Sequence, residues 1–324
     1  VVIMGHRMSD LDAIGSAEGE LRICKICDVP AVIAVRRDAT LAGSLINALI
    51  AAGQEDDFID PKGALPIISQ RTLCIVVDTY QLGLVESREI LEKCGKVAVI
   101  DHHRKGVGFI EKADLVCHEP YASSASELVT EFLQYVGDRD DKPNRVEAEG
   151  LLAGILLDTQ DFTLHTGVRT FEAAAALRRY GAETERVRRL FDVTMVEYNA
   201  KADLVEKAQM YKNCAISIGG EVAPEARVAI AQAANDLLRI QGVDASFVAV
   251  QVGNGVNVSA RSMGAVNVQV IMESLGGGGH QTMAAAQLKH ITPQAARSRI
   301  QDAIDQYYLS QKKTTPEARP AKGE

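Results

Sequence analysis

The sequence contains no tryptophan, and phenylalanine and tyrosine bring its aromatic content to only 5%. It also lacks a basic excess, since 35 Lys and Arg stand against 43 Asp and Glu and give a formal net charge of −8. Proteins that coat long nucleic acids usually carry a basic face, so this balance argues against that class of function. A small phosphorylated ligand is still compatible with this charge, because a metal ion or a few arginines supply positive charge locally.

Cysteines and long hydrophobic runs are also scarce. Of the six cysteines, only Cys24 and Cys27 form a CxxC pair, and no second pair exists to complete a zinc site. This usage predicts free thiols in a reducing compartment. No apolar stretch reaches the ~18 to 20 residues that a membrane-spanning helix needs. These 324 residues therefore predict neither a disulfide framework nor a membrane span.

The chain does have enough apolar sequence for two domains. It has 324 residues, of which 47% are hydrophobic, and chains of this length commonly form about two packed cores. In the first part, short runs rich in Val and Ile alternate with helical patterns, which predicts a parallel sheet covered by helices on both faces. The predicted strands are 1–5, 31–35, 74–78, 97–101 and 115–118, and the predicted helices are 14–26, 41–52 and 85–94.

The middle of the chain shows helical spacing. Ser124 and Glu127 fit a capping box at the start of one helix, and Thr170 is expected to cap another. The predicted helices are 126–135, 145–157, 171–180 and a connector over 187–208.

The last third has a different pattern. Asn254-Gly255 between two β-branched runs is a hairpin signal. The predicted strands are 215–218, 228–231, 247–252 and 256–260, and the predicted helices are 266–275 and 293–309. We therefore predict an α/β protein in which a parallel-sheet domain and a smaller α/β domain with a mixed sheet are joined by a helical connector. The predicted boundaries are a first domain at 1–190, a helical linker at 191–208, a second domain at 209–310 and a disordered tail at 311–324.

Histidines and aspartates stand at the ends of the predicted strands. The first predicted strand leads into GHRMSDLD, the third ends in VVD, and the fourth leads into VIDHH. Ligands of open α/β sheets bind beyond the carboxyl ends of the strands, so these segments should converge. The candidate residues are His6, Asp10, Asp12, Asp78, Asp101, His102, His103 and Asp158.

Four carboxylates at one place repel each other unless cations balance them. Two divalent ions carry the charge that matches Asp10, Asp12, Asp78 and Asp158, so the pattern predicts a two-metal site. Each residue alone has an ordinary explanation, because Asp10, for example, is also placed to cap the following helix. The mixed imidazole and carboxylate ligands favour Mn²⁺, with Mg²⁺ or Co²⁺ as substitutes.

These residues resemble the signature of the DHH phosphoesterase superfamily. GGGGH at 276–280, with Ser259-Ala-Arg261-Ser262 upstream, is similar to the second domain associated with that superfamily. Within the superfamily, the chain resembles the GdpP-type cyclic-di-AMP phosphodiesterases most. The stretches that carry this resemblance are HRMSDLDAIGSA, YASSASELVTEFLQY, FTLHTGVRTFEAA, AQAANDLLRIQGVDASFVAVQ and VNVQVIMESLGGGGH.

The resemblance implies a role for each residue of the pattern. One metal is expected on His6, Asp10 and Asp78, and the other on a set that shares Asp78. His103 is expected to face the reacting phosphate, and Asp101 to support the ligands. The second metal's implied ligands are Asp12, Asp78, His102 and Asp158.

Residues of the second domain are expected to meet the substrate as this domain closes over the site. Glycines let backbone N–H groups approach a phosphate, which points to Gly277, Gly278 and Gly279, followed by His280. The guanidinium of Arg261 matches the geometry of a second phosphate. Ser124 is open to two interpretations, contact with substrate or helix capping.

The implied activity is hydrolysis of cyclic-di-AMP to linear 5′-pApA, which ends second-messenger signalling. The alternative within the same chemistry is a nano-RNase or 3′-phosphoadenosine phosphate phosphatase that acts on very short linear oligonucleotides. A third hypothesis is a receptor that binds a dinucleotide without cleaving it. This hypothesis is disfavoured because every metal-ligand position of the pattern is filled. The resemblance also implies a bacterial homodimer whose catalytic part lies in the cytoplasm, with a membrane anchor in an N-terminal region outside this chain.

Overall fold

Successive residues of the first strand pack into two different hydrophobic cores. In the computed structural model of the chain, Ile3 packs in one hydrophobic cluster while Val2 and Met4 pack in another. Because successive side chains of a strand point to opposite faces, a strand buried on both sides must lie inside a sheet covered twice. The structure describes residues 1–103, 108–138, 141–221, 228–279 and 281–314.

The chain divides into two units, Val1–Asp192 and Val193–Glu324. In the described part of the first unit, six strands form a parallel sheet in the order β3-β2-β1-β4-β5-β6. They are β1 (Val2–Met4), β2 (Val32–Ala34), β3 (Phe58–Ile59), β4 (Leu73–Val77), β5 (Lys96–Asp101) and β6 (Leu115–His118). The short edge strand β3 is one that the sequence pattern did not predict.

Helices cover this sheet on both faces. Short 3₁₀ turns are present at Glu55–Asp57 and Leu65–Ile67. The α-helices are α1 (Leu11–Ile26), α2 (Gly43–Ala51), α3 (Pro61–Ala64), α4 (Arg88–Lys93), α5 (Ala125–Tyr135), α6 (Arg145–Thr159), α7 (Val168–Arg179) and α8 (Thr184–Arg189).

Helices α1 and α6 approach each other through glycines. A Cβ placed on Gly15 of α1 would lie 2.5 Å from the carbonyl oxygen of Gly150 of α6. Only a residue without a side chain permits this separation of the two backbones. The close packing sets the N-terminus of α1 beside α6, and both helices carry predicted ligands.

The second unit contains a mixed sheet, as predicted. Its strand order is β11-β12-β10-β9-β8-β7, with β8 and β9 parallel and the other pairs antiparallel. The strands are β7 (Gln209–Tyr211), β8 (Cys214–Glu221), β9 (Ala245–Val252), β10 (Gly255–Ser262), β11 (Gly278–Gly279) and β12 (Met283–Lys289). The helices are α9 (Met195–Glu206), α10 (Val228–Leu237), α11 (Val268–Ser274) and α12 (Pro293–Thr314).

The prediction of a strand at 228–231 is wrong, because these residues begin α10. Its buried residues Ala229, Ala233 and Leu237 recur every four positions, which is the spacing of one helical face. The alanine-rich continuation favours a helix and outweighs the β-branched start.

Other boundaries also differ from the sequence pattern. The hairpin register pairs Gly255 with Val252, so the two-residue turn is Gly253-Asn254, with a positive φ of 55° at Gly253. The strand β12 was not predicted, although its alternating burial is typical of a half-buried strand.

Two further differences concern the predicted linker and tail. The helix α9, within the stretch predicted as a linker, falls in the second unit. The helix α12 continues to Thr314, so 311–314 are helical rather than part of a disordered tail, and 315–324 lie outside the described residues. Among the described residues, no helix is both long and apolar enough to cross a membrane.

Candidate metal centre

The carboxyl ends of β1, β4 and β5 and the C-terminal turn of α6 bring acids and imidazoles together. Three overlapping groups of residues have potential ligand atoms within 4.8 Å of one another, and Asp78 belongs to all three. The groups are His6, Asp10 and Asp78; Asp12, Asp78, His102 and Asp158; and Asp78, His102 and His103. The structure thus brings together all six residues predicted as metal ligands.

Asp78 lies between two imidazoles. Its Oδ2 is 3.4 Å from Nε2 of His6, and its Oδ1 is 3.4 Å from Nε2 of His102. The same nitrogen of His6 is 3.8 Å from Oδ1 of Asp10. The nitrogen of His102 is 3.0 Å from Oδ2 of Asp158 and 3.9 Å from Oδ2 of Asp12. One carboxylate therefore joins two ligand sets through its two oxygens.

Asp78 has an uncommon backbone conformation. It follows the last residue of β4 with a φ of +58°, in the left-handed region that non-glycine residues rarely adopt. Its N–H donates to the carbonyl of Ile100 over 2.9 Å, which keeps the turn tied to β5. Such strained residues cluster at functional sites, where the surrounding structure maintains them.

The two aspartates at the start of α1 are held in different ways. Asp10 caps α1, because its Oδ1 accepts hydrogen bonds from the N–H groups of Asp12 (3.0 Å) and Ala13 (3.1 Å). Asp12 is fully buried, and its carboxylate accepts from the N–H groups of Ala125 (2.7 Å) and Ser126 (2.8 Å) at the start of α5. Capping and metal ligation are therefore compatible, since each carboxylate has lone pairs left for a cation.

Asp101 orients His103 and belongs to none of the ligand groups. Its Oδ1 accepts from the backbone N–H of His103 over 3.2 Å and lies 2.8 Å from Nδ1 of the same residue. The ring of His118, at the end of β6, is hydrogen-bonded to the carbonyl of His103. Asp101 is completely buried, whereas the His103 side chain is 44% exposed. His103 is thus fixed on its protein side and open toward solvent.

The charges of the cluster shift several pKa values. Burial opposes the charged form of His6, but the carboxylates of Asp10 and Asp78 outweigh it and raise its pKa to about 10. Burial likewise opposes protonation of His103, but Asp101 and Asp78 raise its pKa to about 9. Burial raises the pKa of Asp12, and the neighbouring Asp78 raises it further. The cluster therefore holds protons that a cation would replace.

The residues fit bound divalent cations. Nε2 of His102 and Oδ1 of Asp78 are buried and form no hydrogen bond within the described part of the chain. Buried polar atoms are nearly always partnered, and both atoms point into the cluster of potential ligands. A set of imidazole nitrogens and carboxylate oxygens suits Mn²⁺ and similar ions. The acidic and histidine cluster therefore has the composition of a metal centre.

Ser124 and Arg261 are candidate substrate contacts rather than ligands. Ser124 is completely buried, and its Oγ accepts from the N–H of Glu127 over 3.0 Å, which fits capping better than contact with substrate. In the second unit, burial lowers the pKa of Arg261 to about 10, and its buried Nε forms no hydrogen bond among the described residues. Its Nη1 donates to Oγ of Ser259 and to the carbonyl of Ala260.

The glycine run has a structural use. Gly278 and Gly279 pair with β12, and a Cβ on Gly277 would lie 2.1 Å from the carbonyl oxygen of Ala285. The lack of side chains in this run therefore admits close strand pairing. His280 lies outside the described residues.

Sequence reasoning missed the residues that support the ligands. A Cβ on Gly154 of α6 would lie 2.6 Å from Oδ1 of Asp12. Glu127 was read only as a capping residue, although its carboxylate bonds to Ser123 and Thr170. Their signals in the sequence, a glycine inside a helix and an acid in a first turn, are common and do not by themselves indicate a site.

Comparisons with known proteins identify the family of the chain. The model of the DHH family, N-terminal domain, matches residues 1–155, and the model of the DHHA1 domain matches residues 223–309. The chain belongs to the DHH family. It is 45% identical over 313 residues to cyclic-di-AMP phosphodiesterase GdpP of Geobacillus thermodenitrificans, which covers 95% of this chain and 47% of that protein.

Two further relatives differ in what they support. Bifunctional oligoribonuclease and PAP phosphatase NrnA of Thermus thermophilus is 27% identical over 317 residues, covering 94% of this chain and 89% of that protein. The crystal structure of an exopolyphosphatase-related protein from Bacteroides fragilis has a TM-score of 0.80 at 19% identity, covering 96% of this chain and 93% of the other. The latter shows the fold alone. The chain spans about half the length of the GdpP protein it matches.

Proposed function

We propose that this chain is the catalytic part of a metal-dependent phosphodiesterase that hydrolyses cyclic-di-AMP to linear 5′-pApA. The observation that carries the proposal is Asp78, whose two oxygens face two sets of potential ligands. The similarity to a GdpP phosphodiesterase over 95% of this chain supports the choice of substrate.

Two metal ions would be held by the two sets that share Asp78. His6, Asp10 and Asp78 would hold one ion, and Asp12, Asp78, His102 and Asp158 the other. When bound, such ions lower the pKa of a water molecule and balance charge on the phosphoryl oxygens. We propose Mn²⁺ as the ion, because nitrogen and oxygen ligands are mixed, with Mg²⁺ or Co²⁺ as substitutes.

The protein's own contribution centres on His103. Its Nδ1 lies 2.8 Å from Oδ1 of Asp101, which orients the imidazole. We propose that Nε2 hydrogen-bonds the reacting phosphate and delivers a proton to the 3′-oxygen as the phosphorus–oxygen bond breaks. The oxygen of one water joins phosphorus as the bond to the 3′-oxygen breaks, and the proton that this water loses replaces the one that His103 gives up. A single cleavage therefore opens the ring and leaves a linear dinucleotide with a 5′-phosphate.

The second unit is proposed to supply the remaining substrate contacts. Arg261 carries a buried guanidinium whose Nε has no hydrogen bond among the described residues, which suits a non-reacting phosphate. Backbone N–H groups of the glycine run are proposed to contact a phosphate of the substrate. We also propose a homodimer, and a whole protein anchored in the membrane by a region outside this chain, with the catalytic part in the cytoplasm. The length of the GdpP relative leaves room for such a region.

A second candidate function is cleavage of very short linear oligonucleotides or of 3′-phosphoadenosine phosphate. It is favoured by the similarity to NrnA along most of both chains, but at the lower identity of 27%. Both candidates use the same cluster of ligands, so they differ in substrate and not in the metal centre.

Product analysis separates the two candidates. The chain is loaded with Mn²⁺ and offered cyclic-di-AMP, cyclic-di-GMP, linear pApA and pyrophosphate in separate reactions. Rapid conversion of cyclic-di-AMP to pApA, with slow further cleavage, supports the phosphodiesterase. Preferential hydrolysis of pApA to AMP assigns the chain to the second candidate. Binding of cyclic-di-AMP without turnover would contradict both.

A further inference from the structure

Two backbone N–H groups in the first turn of α5 hold the carboxylate of Asp12. The N–H of Ala125 donates to Oδ2 of Asp12 over 2.7 Å, and the N–H of Ser126 donates to Oδ1 over 2.8 Å. The first amides of a helix have no partners inside the helix and are therefore available to an anion. Because both oxygens of Asp12 are held in this way, the placement of this turn sets the direction of the carboxylate.

The carboxylate of Glu127 fixes the same turn. Its Oε2 accepts hydrogen bonds from the N–H of Ser123 (3.2 Å), from Oγ of Ser123 (2.6 Å) and from Oγ1 of Thr170 (2.6 Å). The backbone N–H of Glu127 donates to Oγ of Ser124 over 3.0 Å. Both the side chain and the backbone N–H of Glu127 are thus hydrogen-bonded to the residues just before the helix. Glu127 is only 1% exposed.

This arrangement goes beyond helix capping. In a capping box, the acid at the third helical position returns to the N–H of the capping residue itself. Here Glu127 reaches one residue further back, to Ser123, and also across to Thr170 in the first turn of α7. Thr170 in turn accepts from the N–H of Gly167 over 3.0 Å. One buried oxygen therefore ties the starts of α5 and α7 together beside Asp12.

The other ligand set is supported separately. Asp10 accepts from amides of its own helix, at Asp12 and Ala13. Within the described ranges, the hydrogen bonds of the Glu127 carboxylate go to Ser123 and Thr170 and do not reach His6 or Asp10. A change at Glu127 should therefore act on the set that contains Asp12 and leave the set of His6 and Asp10 in place.

We infer that Glu127 is a positioning residue of the metal centre. It fixes the first turn of α5 so that the amides of Ala125 and Ser126 hold Asp12 in its ligand orientation. The inference rests on the two-metal centre of the proposed function. Residues that orient metal ligands affect affinity strongly, since losing them typically weakens binding by about 10- to 100-fold.

The test is a Mn²⁺ titration of the metal-free chain by calorimetry, with electron paramagnetic resonance to count bound ions. The wild type is expected to bind two ions. Glu127→Ala is expected to weaken one site by about 10- to 100-fold and to leave the other unchanged. Glu127→Gln keeps a carbonyl oxygen for Ser123 and Thr170 and should recover part of the lost affinity.

Glu131→Gln is the matched control. This residue lies one turn further along α5, and its carboxylate pairs with Arg169 at the surface over 2.6 Å. The variant removes one negative charge from the same helix and should leave both sites unchanged. If Glu127→Ala does not fold, Thr170→Val removes the hydroxyl that donates to Glu127 and accepts from the N–H of Gly167, at nearly constant shape, and a smaller loss is expected at the same site.

The outcomes separate this inference from the proposed function. A wild-type chain that binds fewer than two Mn²⁺ ions overturns the two-metal centre and the role of Glu127 together. Two ions in the wild type, with unchanged isotherms in Glu127→Ala and Thr170→Val, overturn the role of Glu127 alone. Equal weakening of both sites with a lower Tm overturns it as well, because Glu127 would then only stabilise the fold.

Discussion

Gly154 lies against Asp12 with no room for a side chain between them. A Cβ on Gly154 would be 2.6 Å from Oδ1 of Asp12 and 2.3 Å from Oγ of Ser126. Real Cβ atoms do not approach other atoms this closely, so α6 reaches the metal centre only because this position is glycine. The packing of α1 on α6 and the orientation of a ligand are thus one feature of the fold.

We therefore expect Gly154→Ala to disturb the metal centre and the fold together. Overpacking of a tight interior typically costs about 1 to 3 kcal/mol, and the displaced Asp12 should weaken Mn²⁺ binding. Urea unfolding and Mn²⁺ titration measure the two effects. Gly43→Ala is the control, because a Cβ there meets nothing within 4 Å; it should leave both properties near the wild type. Normal metal affinity in Gly154→Ala would contradict the prediction.

The pair of Asp101 and His103 should affect turnover without affecting metal occupancy. His103→Ala removes the proposed proton donor, and general acid–base groups contribute typically about 10²- to 10⁴-fold to the rate. Asp101→Asn keeps the size of the side chain but presents an amide to Nδ1, so a smaller loss of kcat is expected. Elemental analysis of both variants should find the wild-type metal content. Metal loss in His103→Ala would show that this residue is a ligand.

Metal affinity should rise with pH. In the metal-free centre, the carboxylates of Asp10 and Asp78 outweigh burial and raise the pKa of His6 to about 10, and those of Asp158 and Asp78 likewise raise that of His102. A cation must displace these protons at neutral pH, so each released proton makes binding about tenfold tighter per pH unit below its pKa.

Calorimetry in buffers of different ionisation enthalpy counts the protons that Mn²⁺ displaces. We expect net release at pH 7, and less release in a His6→Gln variant at the site that this residue serves. A binding enthalpy that does not depend on the buffer would contradict the prediction, since no protons would then be exchanged.

Stability should fall with rising pH because of buried acids in α1. Burial, with the charges of Glu147 and Asp57, raises the pKa of Glu18 to about 8, and burial raises that of Glu20 to about 7. A carboxyl whose folded pKa is raised contributes its full stability below the unfolded value, near 4.5, and loses it as pH rises through the folded value. The expected loss is on the order of 1 kcal/mol per pH unit for each group over that window.

Glu18→Gln isolates the larger of these two shifts. The amide is neutral at every pH and retains an oxygen that can accept from Nε2 of Gln54, which now lies 2.6 Å from Oε1 of Glu18. Urea unfolding of the metal-free chain at pH 5.5, 7 and 8.5 should show a shallower decline for this variant than for the wild type. Parallel curves would mean that Glu18 is ionised in the folded chain.

Much of this protein follows from local patterns. Apolar runs separated by helical spacing indicate parallel strands, and the carboxyl ends of such strands meet at one edge. His6, Asp78 and His102 could therefore be assigned to one place before any coordinates were known. The resemblance of the GGGGH segment likewise indicated the second domain that the DHHA1 match reports.

Local sequence patterns did not predict the elements and turns that depend on contacts between several segments of the chain. Residues 228–231 begin with β-branched residues, yet their burial every four positions belongs to a helix packed on its sheet. The turn of the hairpin at Gly253-Asn254 depends on strand register, which is set by pairing across the sheet. The short strand β3 is defined by its pairing with β2 at the edge of the sheet.

The sequence alone determined which side chains could serve as ligands and which strand ends carry them, because these depend on residue type and periodicity. The tertiary structure decided how those ligands are held. That Asp12 rests on the amides of α5, that Glu127 fixes this turn through Ser123 and Thr170, and that Gly154 leaves room for the carboxylate all depend on contacts between helices far apart in the chain. Hydrogen bonds and close approaches of this kind arise from packing, which no local pattern records.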